Sequence, residues 1–331
     1  MIGGTGLTIP CPTLSFNYAM STFENNNPGK KMILSNTDYH RRIARQRRAS
    51  FLLLVAPALA WFLAFMLWPL GNMFYISTTR WDGLNLPKKF IFLDNYIRIL
   101  HDPKVATGLH NTGIYLLAGI LGIVPLAFML GFFLSLRKPG YRILRTIFFS
   151  PSMLSVAALA MIFLGVYRPD GMLNTFLKTV GLAALTRIWL GDQSTALGAL
   201  IAIDIWGGVG FNSVLFFAAM SSLPEELYEA AMLDGAGYWT IMWKIAFPLM
   251  IDFIGLVTIL QFLAILSGAA YMILLTQGGP GTATFTLGYY LYDQAFLSHR
   301  LGYSQALGVV IFFIGIVGIL LIRRISARLS E

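Results

Sequence analysis

The chain of 331 residues is 56% hydrophobic and only 12% charged, with a mean hydropathy of +0.68. Soluble domains carry roughly twice that charged share, and the apolar residues here run in long blocks, which argues against a large soluble core. The formal charge of +9 includes a cluster of arginines beside the first apolar block, so it points to anionic lipid headgroups and not to nucleic acid.

Residues 1–48 read as a disordered, basic tail. The first 30 residues lack the charged start and long apolar core of a signal peptide, and the natural start is placed at Met32. Cys11 is the single cysteine, which leaves no disulfide framework and no Cys-based metal site. An all-α, six-helix membrane domain is predicted over 49–325, followed by a tail at 326–331. The spans are Phe51–Ser77, Asn111–Leu136, Thr146–Val166, Ala196–Met220, Leu249–Thr276 and Tyr303–Ile322. Helices of this length cross a hydrocarbon core of about 30 Å while satisfying their own backbone hydrogen bonds. Arg41, Arg42, Arg45, Arg47 and Arg48 stand directly before the first span and orient the N-terminus inward. An even number of spans brings the C-terminus to the same side, and fifteen of the 24 lysines and arginines then lie on the cytoplasmic face.

In chain order, span 1 carries Pro57, Pro69 and interface aromatics such as Trp61, Trp68 and Tyr75. The outer loop Arg80–Lys104 contains Leu93-Asp94-Asn95-Tyr96, and Asn111-Thr112 are expected to cap span 2. Arg137-Lys138-Pro139-Gly140 reads as a tight inner turn, and Ser150-Pro151-Ser152 interrupts span 3. The outer loop Tyr167–Thr195 has room for a short interfacial helix. Span 4 carries Asp204, and a carboxylate at mid-membrane costs about 2.5–3.5 kcal/mol, so it must face a partner or a wet cavity. Asp204, Gly208 and Phe211 share a face at helical spacing, with Ser152 on span 3 expected opposite. Asp204 either lines a solute path or is a structural carboxylate paired with a Ser, Trp or backbone group. Span 5 carries Gln261, Ser267 and Gly268, and the last two, being small, offer either space for a solute or surfaces for helix packing. Span 6 is expected to stop at Arg323-Arg324.

The polar loop 221–248 separates spans 4 and 5. Ser222 with Glu225 three residues on reads as a capping box, Pro224 fits a first turn, and Asp234-Gly235 supplies a stop. A helix over Leu223–Leu233 follows, with Leu227, Ala230, Ala231 and Asp234 on one face. It is either a docking surface for another protein or a capped helix packed on its own bundle.

Glu229-Ala-Ala-Met-Leu-Asp-Gly-Ala-Gly237, ending in Ile245-Ala-Phe-Pro248, closely resembles the cytoplasmic EAA loop of the permease subunits of binding-protein-dependent ABC importers. Leu93-Asp-Asn-Tyr96, Asn111-Thr112 and Leu275-Thr-Gln-Gly-Gly-Pro280 resemble the carbohydrate-uptake branch of that family, and the likeness runs from about residue 50 to 325. The resemblance implies a type I permease fold and assigns the loop to ATPase coupling. Glu229, Ala230, Gly235 and Pro248 match its motif directly, with Ala231 and Asp234 between them. In maltose-type permeases a polar-x-Trp-x-Gly segment 25 residues before the EAA glutamate contacts sugar, and 25 residues separate Asp204 from Glu229 here. The family often has an amide at the Asp204 position. Ser152, Asp204, Gly208, Phe211, Ser267 and Gly268 form the implied substrate path. Implied partners are a second homologous permease in a heterodimer, two ATPase subunits that hold ATP and magnesium, and a periplasmic or lipid-anchored solute-binding protein. The implied location is the bacterial inner membrane, with both termini cytoplasmic. No cofactor or metal is expected on this chain, which has no G-x-x-x-x-G-K-[ST] loop, and His40, His101, His110 and His299 are scattered. It is therefore read as no enzyme by itself. The rival reading is an ion-coupled transporter with Asp204 as its ion site.

Overall fold

The computed structural model describes residues 54–84 and 87–330. The basic tail, the suggested Met32 start and the first residues of span 1 lie outside them. The described residues 54–62 are helical and belong to a unit of their own, and the second unit runs from Leu63 onward.

The second unit is helical apart from one short hairpin. Helix α1 spans Trp68–Ser77, and strands β1 (Thr79–Arg80) and β2 (Lys89–Phe90) pair antiparallel with Thr79 opposite Phe90. Then come α2 (Asp94–His101), α3 (Pro103–Ser135), α4 (Tyr141–Phe149) and α5 (Val156–Val166). Helix α6 (Met172–Thr179) lies in the loop where a short helix is expected. Helix α7 (Ala196–Met220) is the fourth span with the boundaries read from the sequence, and α8 is Glu225–Leu233. Helix α9 (Ile251–Ser267), α10 (Leu287–Tyr292) and α11 (Leu301–Ser330) complete the chain.

Among the described residues, five helices are long and apolar enough to cross a membrane: Leu54–Ser77, Pro103–Ser135, Ala196–Met220, Ile251–Thr276 and Leu301–Leu329. The pair Tyr141–Met153 and Val156–Val166, bent by 99°, makes a sixth when taken as one span. Large apolar side chains such as Leu117, Leu121, Leu320 and Leu321 are exposed, as lipid-facing surfaces allow.

Three boundaries differ from the sequence reading for physical reasons. Span 2 begins at Pro103, where the Asp102 carboxylate accepts from the Lys104 N–H and Pro103 needs no partner for a missing donor. Asn111 and Thr112 therefore sit inside α3 and are not caps. Asn111 donates to the carbonyls of Thr282 (2.9 Å) and Phe285 (3.0 Å), and the Thr112 hydroxyl accepts from the Leu287 N–H at 2.9 Å. Span 3 is bent, not merely interrupted: Pro151 and the Ser150 and Ser152 hydroxyls, bonded back to Ile147 and Phe149, close α4, and Ser155 caps α5. The last helix passes Arg323-Arg324 and runs to Ser330, because those charges end the apolar stretch but nothing there breaks a helix.

The core lies mostly between α3 and α7. One buried cluster joins Tyr115, Ile203, Ile265, Leu287, Tyr290 and Leu307 toward the α2 and α10 side. A second joins Phe128, Phe132, Phe216 and Met220 with Tyr228, Ala231 and Met242 toward the α8 side.

Candidate transport path and coupling surface

Helix α8 starts later than its sequence signature indicates. The Ser222 hydroxyl donates to the Ala219 carbonyl at 2.7 Å and stays in the closing turn of α7. Pro224, with extended backbone (φ −58°, ψ 130°), takes the N-cap position, and Glu225 begins the helix. The capping box does not form: no side chain bonds the N-cap, and Glu225 instead reaches Arg137 at 3.9 Å. Glu225 and Glu226 still lie in the first turn, where the helix dipole favours them.

The C-terminal end matches its signature. Gly235 adopts a left-handed φ of +81°. The Ala236 N–H then donates to Ala231 (2.9 Å) and the Gly235 N–H to Met232 (3.0 Å), the paired closure of a Schellman motif.

The faces of α8 also differ from expectation. Tyr228 and Ala231 turn inward, into the cluster with Phe132 and Phe216. Leu227, Glu229, Ala230, Met232 and Asp234 are exposed, and Leu233 is 89% exposed. These residues form an outer surface that sets a nearly bare leucine among small residues and carboxylates. Ala231 supports that surface from behind. Pro248 is exposed on the same loop, in the helical turn Phe247–Leu249 that precedes α9. Lys138 lies over the Tyr238 ring at 5.1 Å, so the basic turn after α3 is joined to this loop at both ends.

The second feature is a cavity of about 190 Å³ within the span region. It is lined by Asp204 of α7, Tyr115 of α3, Val156 of α5, and Gln261, Ala264, Gly268 and Tyr271 along the fifth span. Its shape follows from a break in that span. Helix α9 stops at Ser267, Gly268 is extended (ψ 132°), and the chain resumes a helical path at Ala270. Asp204 is partly buried, with the hydroxyls of Tyr115 and Tyr271 as its polar neighbours.

Of the six path residues read from the sequence, Asp204 and Gly268 line this cavity, and the other four do not. Ser152 bonds back to Phe149 at the α4 bend. Ser267 donates to Leu263 at 2.8 Å and is exposed. Gly208 faces Ile123, so its missing side chain serves helix packing, and Phe211 is exposed on the outside of α7. Tyr115 and Tyr271 are not among the six. Their signal in the sequence is a phenol inside an apolar span, which needs a polar partner when buried.

A third polar cluster lies at the start of α3. The Asp102 carboxylate accepts from the hydroxyls of Tyr290 and of Tyr303, the latter at 2.7 Å. Burial opposes its ionisation, yet these hydrogen bonds and the Lys104 N–H outweigh that and hold the Asp102 carboxyl below the usual range. Burial, with the bond to Asp102, pushes the Tyr290 phenol up.

Residues 123–331 match the family model described as the binding-protein-dependent transport system inner membrane component. The chain belongs to this family. It is a membrane component of an ABC importer and not an enzyme in its own right. The chain is 35% identical to a probable ABC transporter permease protein, YurN, of Bacillus subtilis, over 79% of this chain and 90% of that one. It is 31% identical to the diacetylchitobiose uptake system permease protein NgcF of Streptomyces coelicolor, over 84% and 82% of the two chains. Among solved structures it shares its fold with a bacterial ABC transporter that imports the acidic polysaccharide alginate, at a TM-score of 0.74 and 23% identity, over 88% of this chain and all of that one. A similar fold, at a TM-score of 0.75 and 22% identity over 86% of this chain and 96% of the other, is seen in a bacterial alginate ABC transporter in complex with an alginate pentasaccharide-bound periplasmic protein. The ion-coupled reading of Asp204 finds no support in these relatives.

Proposed function

We propose that this chain is one of two homologous permeases in an ATP-driven importer of a sugar or oligosaccharide delivered by an extracytoplasmic binding protein. The observation that carries the proposal is the outward face of α8, where Leu233, Glu229, Ala230 and Asp234 stand exposed beside the left-handed Gly235. That face, with Pro248, docks on an ATPase subunit that binds ATP and magnesium. The inward face, Tyr228 and Ala231, passes the motion to α3 and α7. Both termini and α8 then lie in the cytoplasm, in keeping with the basic turn at Arg137 and Lys138 next to α8. Relatives named for diacetylchitobiose, multiple-sugar and lactose transport support a carbohydrate as the solute.

The cavity at Asp204 is this chain's share of the path. Its volume of about 190 Å³ is below the roughly 300–1,000 Å³ of complete small-molecule sites, which fits a path shared with a second subunit. Closure of the ATPase pair opens the path outward, and hydrolysis reverses it. Co-purification tests the reading: an ATPase should stay bound to the wild-type complex and be lost on Glu229→Lys. An ATPase equally retained by that variant and by one carrying Leu233→Glu would refute α8 as the dock.

A further inference from the structure

We infer that Asp204 acts as a charge filter, so that this chain's part of the path accepts uncharged or amino sugars and rejects uronic acids and other anionic sugars. The inference rests on the sugar-import reading above and adds the electrostatic class of the solute.

The lining of the cavity contains one ionisable carboxylate, Asp204, and no lysine, arginine or histidine among the described residues. Its remaining polar groups are the Tyr115 and Tyr271 hydroxyls and the Gln261 amide, which can each donate or accept. The broken fifth span adds two helix ends at Gly268, the C-terminus of α9 and the start of the next helical turn. Their partial charges are of opposite sign and adjacent, so they largely offset. Asp204 is left as the one group in the lining that can bring a full negative charge, in a setting where charges are screened far less than in water.

A neutral sugar presents hydroxyl donors to such a carboxylate, and an ammonium group adds attraction. A sugar carboxylate meets repulsion there, with no cation among the cavity-lining residues to receive it. The solved relative of this fold imports an acidic polysaccharide, so the fold as such does not impose the filter. In this chain Asp204 imposes it. Gly268 contributes the extended turn that breaks the span beside Asp204, and Gln261 offers the second polar contact.

The test is equilibrium binding of three labelled disaccharides of equal length, one neutral, one with free amino groups and one of uronic acids, to the detergent-purified importer complex without its binding protein. The wild type should bind the uronic acid form at least about tenfold more weakly than the neutral one. Asp204→Asn should close most of that gap and weaken the amino form. Gln261→Glu, which adds a second carboxylate to the same wall, should widen the gap and tighten the amino form, and it keeps the filter testable even if Asp204→Asn does not fold. Equal affinity of the wild type for the neutral and uronic acid forms, or an unchanged ranking in both variants, would overturn the filter while leaving sugar import intact. Failure of the wild type to bind any of the three, with the complex still hydrolysing ATP, would overturn the sugar reading and the filter together.

Discussion

Tyr228 on α8 stands edge-on to Phe132 on α3, with ring centroids 6.4 Å apart and an interplanar angle of 71°. Phe132 is fully buried. Through this contact and its neighbours in the same buried cluster, α8 is packed against the last turn of α3, so a displacement of α8 is felt there.

The two rings should respond differently to substitution. Phe132→Ala removes a fully buried ring and should cost about 3–5 kcal/mol. Tyr228→Phe keeps the ring and removes a hydroxyl that is buried without a hydrogen-bond partner among the described residues. An unsatisfied buried hydroxyl costs about 1–3 kcal/mol, so this variant should be as stable as wild type or more so. Thermal melting of the purified complex checks both. A clear loss of stability in Tyr228→Phe would mean that the hydroxyl has a partner in the assembled protein.

Gly235 closes α8 with a φ of +81° and has open space where a side chain would project. The cost of Gly235→Ala is therefore conformational alone, about 1–2 kcal/mol of backbone strain. Gly235→Asn should lose less, since asparagine tolerates the left-handed region. Stimulated ATPase activity in membranes should fall in the same order, Ala below Asn below wild type. Equal activity in all three would remove the turn from the coupling mechanism.

Asp102 links the start of α3 to Tyr290 of α10 and Tyr303 of α11. Its carboxyl is held below the usual range. A depressed folded value adds stability that is complete above the unfolded value near 3.9 and is lost as pH falls through the lower folded value. The group is partly solvated, so the contribution is about 1 kcal/mol. The wild type should thus melt above Asp102→Asn from neutral pH down to about pH 5, and the difference should shrink below about pH 4. A gap that grows with acidification would contradict the assigned ionised form.

Much of this architecture is legible in residue order. Span 4 can be placed at both ends because Thr195 and Ser221 flank a long, predominantly apolar run. The Asp234-Gly235 stop is legible because only a left-handed residue satisfies that closure. The start of α3 is not, since its first residues, Pro103 to His110, are too polar to read as membrane helix and are held by tertiary bonds from Asn111 and Thr112 to the chain at 282–287. The inward face of α8 is hidden for a related reason: Ala231 and Tyr228 are defined by Phe132, more than ninety positions earlier. The cavity-lining residues are the hardest to read. Helical spacing places Asp204, Gly208 and Phe211 together, but neighbouring helices take up Gly208, and the break at Gly268 brings Asp204 to Tyr115 and Tyr271 instead.

Uptake of labelled sugar by cells separates the path role of Asp204 from a structural one. Asp204→Leu removes the polar contact from the cavity wall and should lower uptake by about tenfold or more, the equivalent of at least ~1.4 kcal/mol in the transport barrier. Membrane levels of the variant must be measured alongside, because Asp204→Leu also takes a hydrogen-bond partner from the buried Tyr115 hydroxyl. Normal uptake with normal levels would remove Asp204 from the path.

The seating of α4 against α7 rests on a close backbone contact that two glycine substitutions can isolate. A Cβ on Gly210 would overlap the Phe148 carbonyl, immediately before the Ser150-Pro151 turn. Neither backbone can yield locally, so Gly210→Ala must push α4 away from α7, at about 1–3 kcal/mol. Gly113 on α3 has nothing within 4 Å of such an atom. Gly113→Ala should therefore stabilise by roughly 0.5–1 kcal/mol, the usual gain of alanine over glycine in a helix interior. The two variants make the same chemical change in two membrane helices, so opposite shifts in the melting midpoint would trace the effect to the α4–α7 contact. Shifts of the same sign would place it in helix propensity, and the α4–α7 contact would then carry no strain of its own.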